Sequence, residues 1–213
     1  MTDLAARPDG ASAGPGASTS AEPVVIVDPP LTPALRARLV DMWVRVTNAG
    51  GAVGFVPPVG AEDVLPTAER SFARVEARED TLVCLAVPED GQVRGDGQDG
   101  TQRVVAWLLL AESESHLRRH WRTVYRVQVD PDWQGGGLGR RLMAEAAVVA
   151  RDRLRLEALT LMTRGGTGAE DFYLRCGYRE VGRIPGAIRV RPGDDRDEVH
   201  FWLDLTPDPA PTE

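Results

Sequence analysis

Apolar residues recur every three or four positions in several segments of the chain, which is the spacing of helices with one buried face. The first segment begins after Thr32, a good helix-capping residue, and has Pro33 in its first turn. Its apolar face consists of Leu35, Leu39, Met42 and Val46. Further helices are predicted at residues 62–78 and 138–154. A short helix at 169–176 would end at Gly177, a typical helix-terminating residue.

Shorter apolar runs bounded by Pro, Gly or Asp predict strands between these helices. They lie at residues 23–27, 81–87, 103–110, 123–129, 158–162, 178–184 and 199–205. A Gly- and Asp-rich segment at 89–102 predicts a hairpin loop, and the charged run 194–198 a solvated turn. The resulting order, β-α-α-β-β-β-α-β-α-β-β, predicts an α/β fold with a central mixed sheet flanked by helices.

The ends of the chain differ from its middle in composition. Residues 1–22 are rich in Ala, Gly, Ser and Pro, and residues 206–213 alternate Pro with polar residues. Such segments bury too little apolar surface to offset the entropy lost on ordering, so both are predicted to be disordered tails. One folded domain is therefore expected at residues 23–205.

Charge and rare residues exclude several classes of function. The net charge of −7 argues against nucleic acid or an anionic membrane as the main partner. All 25 basic residues are arginine, which excludes a phosphate loop that depends on lysine. Two cysteines and three histidines show no metal-ligand spacing. We expect no metal, no membrane span and a cytoplasmic location.

The segment Gln134-Gly-Gly-Gly-Leu-Gly139 lies between a predicted strand and a predicted helix. Glycines allow the backbone amides to approach a ligand closely, and the helix N-terminus favours an anion, so a pyrophosphate site is predicted. The dinucleotide pattern G-x-G-x-x-G fails because position 140 is Arg140. The alternative is a glycine-rich turn that binds no ligand.

This loop resembles the coenzyme A loop of the GNAT superfamily of N-acetyltransferases, whose pattern is Q/R-x-x-G-x-G/A. Two further motifs are similar to that family: V-x-V before the loop, and A-x-x-F-Y-x-x-x-G-Y from Ala169 to Tyr178. Gly166 stands where the family usually has Asn. The resemblance implies the GNAT fold, a mostly antiparallel sheet with a splayed strand pair at the CoA site. It also implies that acetyl-CoA is bound by Val127, Gln128, Val129, Gln134, Gly135, Gly136, Gly137, Leu138, Gly139, Arg140 and Phe172.

Within the superfamily, residues 48–55, 139–143 and 182–186 look like the tabtoxin resistance proteins, which acetylate a small toxin that bears an amine. The superfamily resemblance implies that Tyr173 protonates the leaving thiolate, and that Gly51, Phe55 and Val56 contact the acceptor, with Thr123 a further candidate. The alternatives are a core aromatic for Tyr173 and a packed connection for the loop at 50–58. The tabtoxin resistance proteins carry carboxylates on two strands where this chain has Thr123 and Met162. The remaining candidates for a general base, each more simply a surface charge, are Glu112, Glu114, His120 and Glu198.

The function expected is transfer of an acetyl group from acetyl-CoA to a primary amine of a small molecule, in toxin resistance or biosynthesis. The alternatives are acetylation of protein amines and a non-catalytic acyl-CoA-binding module. We expect no nucleic acid or membrane partner, and a homodimer is the assembly to test. Trp107, Trp121 and Trp202 are candidates for a hydrophobic pocket or for the core, and Met42, Met143 and Met162 are predicted core residues.

Overall fold

The computed structural model describes residues 22–88 and 102–206. The predicted order of elements is confirmed in these ranges. The helices are α1 (Pro33–Asn48), α2 (Ala61–Glu76), α3 (Leu138–Val148) and α4 (Ala169–Arg175). The strands are β1 (Val24–Val27), β2 (Thr81–Pro88), β3 (Gln102–Ala111), β4 (Trp121–Val129), β5 (Ala158–Arg164), β6 (Arg179–Arg191) and β7 (Asp194–Asp204). The predicted hairpin loop and both predicted tails lie almost wholly outside the described residues.

Local sequence determines where the helices start. The Thr32 hydroxyl accepts a hydrogen bond from the Leu35 amide at 3.2 Å, so it caps α1 as expected. At α2 the Gly60 amide donates to the Asp63 carboxylate at 2.8 Å. The segment predicted as helix 138–154 is α3, which continues as a single π-turn over Val149–Arg153.

The strands form one sheet in the order β1-β2-β3-β4-β5-β7-β6. Each described pair is antiparallel except β4 and β5, which run parallel. Their pairing covers only Trp121–Thr123 against Ala158–Thr160. Beyond Thr123 the two strands separate, which is the splayed pair expected, and the gap opens towards the glycine loop.

A bulge in β4 lies beside this gap. Trp107 on β3 faces Gln128, whereas Leu109 faces Tyr125, so β4 has one residue more than β3 between these pairs. The extra length falls at Arg126 and Val127. Arg126 has a φ of 57°, a left-handed conformation that is uncommon for a residue with a side chain.

Two hydrophobic layers cover the sheet. One layer packs α3 and its continuation against β2–β5 and β7, and it includes Met143 and Phe201. The other packs α1 and α2 against β1–β3, and its largest buried side chains are Trp43, Trp107 and Phe72. Trp107 and Met42 are therefore core residues. Because α1 and α2 do not extend over β5, Met162 is 39% exposed, and the prediction that it fills the core is wrong.

The last two strands are longer than predicted. Residues 194–198 were expected to be a solvated turn, but they belong to β7, and the turn lies at Pro192 and Gly193. Cross-strand ion pairs such as Arg189 with Asp195, at 2.6 Å, hold the charged residues in register. The β6–β7 ribbon therefore extends past the sheet and reaches the cleft.

Candidate active site

A groove of about 620 Å³ lies between the splayed end of β4, the glycine loop and α4. It contains most of the residues predicted to bind the cofactor, which are Val127, Val129, Gln134, Gly135, Gly137, Leu138, Gly139, Arg140 and Phe172. Gly136 lines an adjoining depression. Gln128 does not line the groove, because its side chain is buried on the other face of the sheet opposite Trp107.

The glycine loop leaves an open surface where the cofactor is expected. Gly135 and Gly137 have φ angles of 85° and 82°, a conformation that favours glycine. A Cβ atom placed at Gly135, Gly136 or Gly137 would meet nothing within 4 Å. The first intrahelical hydrogen bond of α3 runs from the Arg141 amide to the Gly137 carbonyl, at 3.1 Å. The preceding amides therefore have no partner within the helix, and the residues that carry them line the groove.

Arginines surround this helix N-terminus. Arg140 and Arg175 line both the groove and the adjoining depression, and Arg141 lines the depression. Arg175, in the last turn of α4, was not predicted from the sequence. Its position three residues after Phe172, which lines the groove, is the signal that places both side chains on one face of α4. Three guanidinium groups and free amides make this region suited to a phosphorylated ligand.

A second pocket, of about 360 Å³, adjoins the groove on the far side of the β4 bulge. The loop after α1 contributes Ala52–Val56 and includes Phe55, a predicted acceptor contact. Gly51, the other predicted contact in that loop, lies on the groove side. Thr123 lines neither space, since it is held between Ala111 and Thr160 in the sheet, and the pocket instead receives residues 124–127. The residues that line both spaces are Ala52, Val53, Val127, Thr163 and Tyr173. The groove and the pocket therefore form one cleft, with the groove as its donor half and the pocket as its acceptor half.

Tyr173 stands where the two halves meet. Its ring packs against Phe172, Tyr178 and Phe201, with centroid distances of 5.1, 6.2 and 5.8 Å. Its hydroxyl makes no hydrogen bond to a described residue. Burial raises the pKa of Tyr173 to about 12, with a smaller contribution from Cys176. The phenol is thus protonated at neutral pH, and Tyr173 lines both halves of the cleft.

Glu198 is the only one of the four candidate bases that lines the acceptor half of the cleft among the residues described. One of its carboxylate oxygens lies 2.9 Å from the His200 Nε2 atom, although the geometry is not that of an aligned hydrogen bond. Glu112 is paired with Arg122 at 2.8 Å. Glu112 and Glu114 line an adjoining surface depression, which Tyr125 and Arg126 also border. His120 is exposed at the start of β4, away from the cleft.

Arg126 is the acceptor-side residue that the sequence analysis did not identify. Its guanidinium lies 4.7 Å from the centre of the Trp43 ring, and its Nη1 donates to the Val53 carbonyl at 3.1 Å. Burial lowers its pKa, and Tyr125 opposes this effect. The side chain enters the pocket because the bulge rotates this part of β4, a feature that depends on the pairing of β4 with β3.

Within residues 22–88 and 102–206, no cluster of three or more metal-binding side chains occurs. None of the helices described is long and apolar enough to cross a membrane.

The strand order, the splayed strand pair and the glycine loop together define the GNAT fold. Residues 98–180 match the family described as the Acetyltransferase (GNAT) domain. This match and the seven-stranded sheet agree with the GNAT fold expected from the sequence, and acetyltransferases of this type use acetyl-CoA as co-substrate.

Solved structures of acetyltransferases have a similar fold, and one protein matches part of the sequence. A putative acetyltransferase from Salmonella typhimurium, solved with its cofactor acetyl-CoA, has a TM-score of 0.62 and 16% identity, over 90% of this chain and 98% of that chain. A spermidine N-acetyltransferase from Vibrio cholerae, in complex with CoA and spermine, has a TM-score of 0.60 and 13% identity, over 85% and 95% of the two chains. A tRNA uridine(34) acetyltransferase from Dehalococcoides mccartyi is 43% identical over 54 residues, which are 25% of this chain and only 11% of that protein.

Proposed function

We propose that this protein transfers the acetyl group of acetyl-CoA to a primary amine of a small molecule. The observation that carries the proposal is the position of Tyr173, which lines both the groove of the glycine loop and the acceptor pocket. A thioester lying in the groove would have its carbonyl carbon beside the amine and its sulfur beside the phenol.

The donor half would bind acetyl-CoA through the predicted cofactor residues. The amides at the N-terminus of α3 and the guanidinium groups of Arg140 and Arg175 would hold the pyrophosphate. The pantetheine arm would run along β4 towards the bulge, where Val127 has no partner residue on β3. We propose that backbone amides in the segment Val127–Val129 donate to the carbonyl oxygen that becomes negatively charged during the reaction. One such donor contributes about 3–4 kcal/mol in other enzymes.

The reaction then needs three proton movements. Glu198 would accept the proton of the ammonium group, and the neutral amine would attack the thioester carbonyl carbon. The C–S bond breaks as the tetrahedral intermediate collapses, and Tyr173 would donate its proton to the departing thiolate, a contribution of about 10²–10⁴-fold where general acids have been removed. The second proton, which the nitrogen loses as the amide forms, would restore the phenol of Tyr173. Glu198 occupies the acceptor side although the strand positions of Thr123 and Met162 hold no carboxylate.

The size of the acceptor pocket supports a small acceptor over a protein chain. Its volume of about 360 Å³ is at the low end for small-ligand sites, and the β6–β7 ribbon borders it through Ile188 and Arg189. The resemblance to the tabtoxin resistance proteins agrees with a compact amine. The net charge of −7 does not favour a tRNA substrate, despite the short match to a tRNA acetyltransferase.

The test is thiol release from acetyl-CoA across a panel of small amines, a lysine peptide and a peptide with a free N-terminus. Mass spectrometry of each reaction identifies the acetylated amine, and a reaction without amine measures hydrolysis. We expect at least one small amine to be acetylated faster than either peptide. Thiol release no greater than hydrolysis for every amine would refute the proposal and favour a non-catalytic acyl-CoA-binding module. Faster acetylation of a peptide would favour a protein acetyltransferase.

A further inference from the structure

The acceptor pocket contains a partly buried guanidinium group that is not neutralised by the protein. No carboxylate of a described residue lies within ion-pairing distance of Arg126. Its described contacts are the face of Trp43 and the Val53 carbonyl, which uses one of its five N–H donors. A charge removed from water without a counter-ion is unfavourable, so this arrangement indicates a site that an anion completes.

The surroundings hold this side chain in a defined place. Trp43 Nε1 also donates to the Val53 carbonyl, at 3.0 Å, so the indole and the guanidinium are fixed by the same oxygen atom. Gly54 passes so close that a Cβ atom there would lie only 2.1 Å from Arg126 Nη1. A glycine, an indole and a carbonyl thus form a cradle for one arginine head group.

The charge of the rest of the pocket has the same sign. Arg164 and Arg189 also line it, against the single carboxylate of Glu198. Arg189 is neutralised by Asp195 at 2.6 Å, and Glu198 lies beside His200. The pocket is therefore rich in cations although the chain as a whole has a net charge of −7. A polyamine would place further positive charge against Arg126, whereas an anionic group would be attracted to it.

We infer that the acceptor carries a carboxylate in addition to its amine, and that Arg126 binds this carboxylate. The inference rests on the proposed acetyl transfer and specifies its substrate class, a compact amino acid. The planar fork of the guanidinium matches a carboxylate with two parallel hydrogen bonds. Because Arg126 adjoins Val127, which lines both halves of the cleft, a carboxylate held by Arg126 leaves the amine directed towards the junction at Tyr173.

The experiment compares matched acceptors. Thiol release is measured for a series of amino acids, each paired with its carboxamide, and for spermidine. The carboxamide removes the negative charge and makes the amine less basic, so amine reactivity alone favours the amide. We expect the acids to have the higher kcat/KM in the wild-type protein. Equal or better use of the amides or of spermidine would overturn the inference while acetyl transfer to amines would stand.

The variants Arg126→Met and Arg126→Lys then test the residue. Both keep a linear side chain at the same backbone position, so any strain at φ 57° is common to them. Loss of a charge-assisted pair should lower kcat/KM for the acid about 10- to 100-fold in Arg126→Met and leave the amide nearly unchanged. Arg126→Lys should retain part of the preference for the acid.

Arg118→Met is the matched control, because Arg118 also lies over a tryptophan, Trp121, at 5.7 Å, but is exposed and outside the cleft. It should not alter the preference for the acid. An acetyl-CoA thermal shift on each variant shows that the donor half is intact. If Arg126→Met does not fold, the inference is tested by the wild-type protein alone, through its kcat/KM for each acid and for the matching carboxamide. No acetylation of any acceptor would refute the proposed function itself, and with it this inference.

Discussion

Gly136 offers the sharpest test of the donor half of the cleft. Unlike Gly135 and Gly137, it does not have a positive φ, and a Cβ atom there would meet nothing within 4 Å. A larger residue is therefore accommodated without strain in the free protein. We predict that Gly136→Glu folds normally and loses its affinity for acetyl-CoA, because the new carboxylate lies beside the place expected for the pyrophosphate.

The magnitude follows from the geometry of the loop. Acetyl-CoA at a hundredfold excess over its Kd stabilises the folded state by about 2.7 kcal/mol. For a chain of this size that corresponds to a rise in Tm of about 5–11 °C. Two like charges about 5 Å apart, at an effective dielectric constant near 20, repel by about 3 kcal/mol. The repulsion equals the whole stabilisation, so the shift should nearly vanish at the same acetyl-CoA concentration.

The assay is a thermal melt with and without acetyl-CoA. Gly136→Gln has almost the same shape without the charge and should keep most of the shift. Gly182→Glu places the same charge on β6, at another glycine with open space around it, and should keep all of it. A full shift in Gly136→Glu would show that the pyrophosphate does not lie at this loop. If Gly136→Gln also loses the rise in Tm with acetyl-CoA, the effect is due to the size of the new side chain and not to its charge.

Three further predictions concern the chemistry of the cleft. Tyr173→Phe should lower kcat, measured by thiol release, about 10²–10⁴-fold. The affinity for acetyl-CoA, measured by thermal shift, should change little, and an unchanged kcat would show that Tyr173 serves only in packing. Because burial raises the pKa of Tyr173 from 10.0 to about 12, its stabilising effect is complete below pH 10 and is lost as pH rises to 12. The free energy of unfolding, measured in denaturant melts between pH 10 and pH 12, should therefore fall less steeply in Tyr173→Phe than in the wild-type protein. Glu198→Gln should lower the rate most at pH values below the pKa of the acceptor amine, and a uniform loss at all pH values would argue against a role as base.

The sequence predicted those parts of the molecule that depend on local pattern. The cap at Thr32, the helices and the glycine loop all follow from residues close together in the chain. The loop was recognised because its requirements, positive φ at Gly135 and Gly137 and exposed amides at a helix N-terminus, allow few other sequences. Tyr173 followed from the family motif, and it lines both halves of the cleft, while its catalytic role stays a prediction.

The parts that were missed depend on contacts between distant residues. Met162 reads as a core residue in an apolar strand, but α1 and α2 end before they reach β5. Residues 194–198 read as a turn because they are charged, whereas partners on β6 make them strand. Thr123 was placed at the acceptor by the resemblance to the tabtoxin resistance proteins. The actual pocket residues begin at Val124, where β4 leaves β5, and this point is set by pairing across the sheet.

Arg126 was also missed because its position in the pocket depends on a residue distant in the chain. Nothing near it in the sequence distinguishes it from 24 other arginines, but Gly54, at a φ of 101°, leaves room for its guanidinium. We predict that Gly54→Ala costs about 1–3 kcal/mol of stability from backbone strain and moves the Arg126 head group from its place between Trp43 and Val53. The preference for a carboxylate-bearing acceptor should then fall while the acetyl-CoA shift remains.

The control for this change is Gly50→Ala, in the same loop. Gly50 has a similar φ of 95°, but a Cβ atom there meets nothing within 4 Å. The two variants should therefore lose similar stability in denaturant melts, and only Gly54→Ala should lose the discrimination between an amino acid and its carboxamide. If Gly54→Ala folds and discriminates as well as Gly50→Ala, the fixed position of Arg126 is not what selects the acceptor. If discrimination falls only in Gly54→Ala, the loop after α1 acts on acceptor choice through the arginine it holds.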